Sequence, residues 1–69
     1  MNDVVYEYLG YQYVPLEVFE EDNVKVFHEV LTPDGDKICM DRSPYAQVTA
    51  DDFKTWVDRY RLDLFRSHR

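Results

Sequence analysis

Sixty-nine residues carrying a net charge of −6 and a 45% apolar fraction are enough for one domain, expected to span residues 1–69, and too few for a second. Six Tyr, four Phe and one Trp let so short a chain bury large areas, which excludes a disordered tail. One cysteine excludes an internal disulfide and favours a reducing, cytoplasmic setting, and no apolar run approaches the roughly 18 residues of a membrane span.

The opening MNDVVYEYLG lacks a basic region followed by an apolar one, so it does not read as a signal peptide. Val4 to Leu9 has the β-branched and aromatic content of a strand, with Tyr6 and Tyr8 on one face. Gly10 interrupts the pattern before Tyr11-Gln12-Tyr13-Val14 resumes it, which suggests a bulge or bend rather than a tight turn. Pro15 then limits pairing to an edge or a strand end.

LEVFEEDNVKVF (16–27) can be wound as a helix that aligns Leu16, Phe19, Asn23 and Phe27. The valines and the polar Glu20-Glu21-Asp22-Asn23 cluster favour instead a short extended segment, a charged turn and a strand. VKVFHEVLT (24–32), Pro33-Asp34-Gly35-Asp36 and KICMD (37–41) together predict a β-hairpin over 24–41, since Gly takes positive φ without a steric penalty. Along its first arm Val24, Val26, His28 and Val30 share one face, while Phe27 and Leu31 share the other. One face is expected to pack on a helix; the other is a candidate contact surface.

Asp41-Arg42-Ser43-Pro44-Tyr45 leads out of the sheet, and Pro44 holds Ser43 away from helical angles. Thr49 is the natural N-cap of a helix over about 50–66, with Asp52 three residues on as an acidic capping box and Val48 placed to staple on Phe53. Phe53, Trp56, Val57, Tyr60 and Leu64 fall on one stripe of that helix. The fold class predicted is α+β: a small antiparallel sheet of about three strands packed against one C-terminal helix.

Chemistry-bearing residues are sparse. His28, Cys39 and His68 lack paired zinc-ligand spacing, and PDGDKICMD lacks the twelve-residue loop of a calcium site, so neither metal nor cofactor is expected. Cys39 and Ser43 have no activating constellation, and no Gly-rich phosphate loop occurs, so no enzymatic activity is expected.

Charge is uneven. Residues 1–36 hold nine acids against Lys25, while residues 37–69 hold five acids against seven bases. The acidic half repels phosphate, and in the basic half Asp58 and Asp63 interleave with Arg59 and Arg61 in helical pairs. Nucleic acid is therefore a poor partner. The alternative reading is a nucleic-acid-related protein. It would be either a weak binder or an acidic DNA mimic using Glu17, Glu20, Glu21, Asp22, Glu29, Asp34 and Asp36.

Leu62 lies about 180° from Phe53, and Asp58, Leu62 and Phe65 form a second stripe at i, i+4, i+7 spacing. The leading expectation is a small acidic interaction module, cytoplasmic, that binds and modulates or inhibits a larger protein and forms a homodimer. Its apolar contacts are expected at Tyr11, Tyr13, Leu62 and Phe65, with Glu20, Glu21 and Asp22 as steering charges. In profile, though on no motif, the chain resembles accessory proteins of phages and mobile elements. That resemblance implies host cytoplasm as the setting.

Overall fold

A computed structural model describes residues 3–67. Its elements are β1 (Tyr6–Tyr8), β2 (Tyr11–Tyr13), β3 (Leu16–Phe19), β4 (Val24–Phe27), β5 (Glu29–Leu31), β6 (Lys37–Cys39) and α1 (Ala50–Ser67). β1, β2, β5 and β6 make a four-stranded antiparallel sheet in the order β1-β2-β5-β6, and β3 with β4 makes a separate two-stranded one. The α+β class holds: an antiparallel sheet packs against a single C-terminal helix.

The two sheets are parts of one long ribbon. Position numbers of opposed residues add to the same total in both ladders, from Gln12 opposite Leu31 to Phe19 opposite Val24. The break falls where Pro15 would oppose His28. Residues 24–41 are therefore not one hairpin. The predicted arm divides at His28: β5 pairs with β6, while β4 turns back on β3. The Met40 N–H still donates to the His28 carbonyl at 2.9 Å, so His28 closes the hairpin that β5 begins.

Each turn follows its local chemistry. Where the pattern suggests a bulge or bend at Gly10, the chain makes a two-residue hairpin loop, with Tyr8 opposite Tyr11 and both Leu9 (φ 54°) and Gly10 (φ 83°) left-handed. That is the mirror-image turn whose twist suits a hairpin. Residues 15–23 are extended rather than helical up to Phe19, and the Glu20 N–H closes the charged turn by donating to the Asn23 carbonyl at 2.8 Å. Gly35, at φ 89°, ends the Thr32–Gly35 turn, in which its N–H donates to the Thr32 carbonyl.

Alternation along the strands sorts the sheet into two faces. Tyr11, Tyr13 and Val30 are buried on one, beside Tyr6, Tyr8 and Ile38, and α1 lays Phe53, Trp56, Val57 and Tyr60 over them. Phe53 and Val57 are fully buried, each worth about 1.5–3 kcal/mol before entropy is charged. Aromatic rings knit this layer: Tyr6 stacks on Tyr13 and on Phe53, and Tyr11 meets Tyr60 edge-on. The opposite face carries Glu7, Gln12, Glu29 and Lys37. Gln12 donates to Glu7 at 3.1 Å, and Lys37 pairs with Glu29 at 3.3 Å. That face mixes these polar groups with Leu31, opposite Gln12 and Lys37, and Cys39, opposite Glu29.

The helix begins as its cap predicts. The Asp52 N–H donates to the Thr49 hydroxyl, the Thr49 N–H donates to the Asp52 carboxylate, both at 3.1 Å, and Val48 is buried in the same cluster as Phe53. Two backbone-level donors are thereby satisfied reciprocally. α1 outruns the sheet at its other end. From Arg61 to Ser67 every residue is exposed, including Leu64, the last member of the predicted stripe.

Candidate functional site

Tyr11 and Tyr13 are core residues, 7% and 4% exposed, and are not available as surface contacts. Both point to the helix-covered face because their spacing matches that of Tyr6 and Tyr8 across the turn, and their rings are the floor on which α1 rests. The Tyr13 hydroxyl lies 2.6 Å from His28 Nδ1, and His28 Nε2 lies 2.8 Å from the Ser43 carbonyl. A carbonyl can only accept, so Nε2 carries a proton, and in the neutral imidazole the Tyr13 hydroxyl then donates to Nδ1. Burial holds Tyr13 above the usual tyrosine range. His28 thus spends one ring nitrogen on Tyr13 of β2 and the other on tying the ribbon break to the 40–49 segment.

Leu62 and Phe65 are surface residues, 48% and 72% exposed. Neither folds under the helix end. Leu64 joins them because the sheet stops short of it, so the last turns of α1 carry apolar side chains on several sides. The helical ion pairs Asp58–Arg61 and Arg59–Asp63 do not form. Among the described residues the ion pairs are Lys37–Glu29 and Arg42–Asp52, the latter at 3.1 Å beside the helix cap. Asp58 instead lies against the Tyr8 hydroxyl and holds that group above its usual range.

Sequence reasoning undervalued the β3–β4 arm. Directly opposed residues share a face, so Leu16, Val18, Lys25 and Phe27 lie on one side and Glu17, Phe19, Val24 and Val26 on the other. Apolar residues occupy both. Val18, Val24 and Phe27 are exposed, Phe19 is 77% exposed, and the Lys25 ammonium sits 5.4 Å over the Phe27 ring. Glu20, Glu21 and Asp22 form the exposed tip beside Phe19, where the predicted steering charges were placed. The available signal was the doubly apolar pattern of VKVF, which marks a strand lacking a polar side.

At the arm's base, an open cleft of about 350 Å³ lies between Glu17 and Val26, the Tyr13–His28 pair and the Val48 segment. A second, near 290 Å³, lies by Arg42, Trp56 and Arg59. No protein-family model, curated protein or solved structure matches this chain. Among the described residues no cluster of His, Cys, Asp and Glu is arranged to hold a metal; His68 lies outside them. Cys39 is an exposed free thiol on β6. Of the acids of the DNA-mimic reading, Glu17 lies on β3, Glu29 on β5, and the other five fall in two turn groups. Glu20–Asp22 and Asp34–Asp36 sit at turns joined by β4 and β5, eight residues or roughly 25 Å apart along the chain. No helix among the described residues is long and apolar enough to cross a membrane.

Proposed function

We propose that this chain is a small, non-enzymatic, cytoplasmic interaction module that binds a larger protein and modulates or inhibits it. Its main contact is the β3–β4 arm. The observation that carries this reading is Phe19, 77% exposed on an arm apolar on both faces, beside the acidic Glu20-Glu21-Asp22 tip. A large aromatic held by a strand pair is a low-entropy anchor, of the kind that dominates interface energies. The acids favour a partner with a basic rim and steer its approach. Leu62 and Phe65 on the helix tail supply a second contact.

The test is affinity capture from native cells with wild type, Phe19→Asp and the double variant Leu62→Asp/Phe65→Asp, each checked for folding by circular dichroism. Phe19→Asp is expected to lose the captured protein, at a cost of about 2 kcal/mol or more. Loss in the helix variant alone would move the contact to the tail. If the same proteins are captured by all three, the reading is wrong.

A further inference from the structure

The two edges of the β3–β4 arm differ. In an antiparallel ladder, residues that aim N–H and C=O at the partner strand alternate with residues that aim them outward. The Glu20 N–H bonds the Asn23 carbonyl, so the bonded pairs of the arm are Val18 with Lys25 and Leu16 with Phe27. Glu17 and Phe19 on β3, and Val24 and Val26 on β4, therefore face outward. Val26 shows this phase directly: its N–H leaves the ladder and donates to the Pro44 carbonyl at 2.8 Å. The 40–49 segment thus covers β4. Among the described residues nothing bonds the outward main chain of Glu17 or Phe19.

We propose that a second copy of this chain adds to that open edge, β3 against β3 and antiparallel, about a two-fold axis at Val18. Two arms then form one continuous sheet. Only outward-facing residues can exchange hydrogen bonds, which restricts the register. Glu17 opposite Glu17 would set like charges face to face, and Phe19 opposite Phe19 would set Glu17 against Glu21. Glu17 opposite Phe19 avoids both. It sets Leu16 against Glu20 and Pro15 against Glu21, so no acid meets an acid. Pro15, which has no N–H to give, ends the ladder on each side. The edge is self-complementary in this one register, as a two-fold interface requires. This inference goes beyond the reading above: it uses the main chain of the arm's edge and leaves both apolar faces free for a larger protein.

Sedimentation of the full chain and disulfide trapping test it. Wild type is expected at twice 8.3 kDa, dissociating on dilution. Glu17→Pro removes an N–H that only the intermolecular ladder uses and is expected to weaken dimerisation about tenfold or more, while Glu17→Ala keeps it. At the unbonded Val18 pair the Cα atoms would lie about 4.5 Å apart, within disulfide range. Val18→Cys with Cys39→Ser should therefore give a covalent dimer on oxidation, and Phe19→Cys with Cys39→Ser should not. A chain that sediments as a monomer at hundreds of micromolar overturns the proposal. So does equal trapping from positions 18 and 19, which removes the axis from Val18. If Glu17→Pro does not fold, the trapping pattern decides alone. A monomer that still captures its partner sinks this inference and spares the proposed function; a dimer that captures the same proteins after Phe19→Ala, which adds no charge opposite Glu17, does the reverse.

Discussion

Leu9 occupies a backbone conformation that its side chain opposes. At φ 54° its Cβ crowds the following carbonyl, a cost of about 1–2 kcal/mol that Asn or Gly largely escapes. Its side chain is half exposed, so little packing offsets the strain. Leu9→Asn restores the Asn-Gly pair that this turn prefers. It is expected to stabilise the protein by about 1 kcal/mol, read in a thermal melt as a midpoint about 4–8 °C higher. Its neighbour has no such latitude. A Cβ on Gly10 would stand 3.0 Å from Pro33 Cγ as well as strained at φ 83°.

The helix is two elements in one. Its first half lies on the tyrosine layer and its second half on nothing, because the sheet beneath is only three residues deep in β1 and β2. Periodicity cannot see that limit: Leu64 continues the stripe of Phe53, Val57 and Tyr60, yet it is exposed. Phe53→Ala is expected to cost about 3–5 kcal/mol, enough to unfold much of a domain this small. Phe65→Ala should stay within about 0.5 kcal/mol of wild type. Urea titrations followed by circular dichroism separate the two. Near-equal losses would mean that the helix tail is packed. The two sheets part where Pro15 opposes His28, a position whose N–H would face out of this ladder, between Val14, which bonds Glu29, and the Leu16–Phe27 pair.

Across the whole molecule, stability is bracketed by pH on both sides. Asp52 is held below its ordinary 3.8 by the Thr49 N–H, then by the Thr49 hydroxyl, with Arg42 adding to both. Its carboxylate is thus favoured in the folded state, and its contribution is present above pH 3.8 and fades as pH falls through the depressed folded value. Tyr13, by burial, and Tyr8, chiefly through its hydrogen bond to Asp58, are held above their ordinary 10.0. For these the neutral form is favoured, so their contribution is complete below pH 10 and is lost as pH rises through the raised folded values. Thermal stability measured against pH should fall at both ends. Asp52→Asn is expected to flatten the acid limb and Tyr13→Phe the alkaline one; unchanged limbs in these variants would assign the dependence elsewhere.

Several features were legible in the linear chain because each rests on neighbours in sequence. The capping box of Thr49 and Asp52, the Pro33–Gly35 turn, the stripe through Phe53 and Val57 and the α+β class all follow from spacing and local propensity. The exposure of Leu62 and Phe65 follows from their misfit with that stripe. What covers each apolar residue did not, because a strand's two faces look alike until the helix takes one of them. Only the tertiary structure decided that Tyr11 and Tyr13 lie beneath α1, that β4 leaves β5 to pair with β3, and that Phe19 is left standing in solvent. Burial is a property of distant segments meeting, and in this chain the meeting point is set by where α1 runs out of sheet.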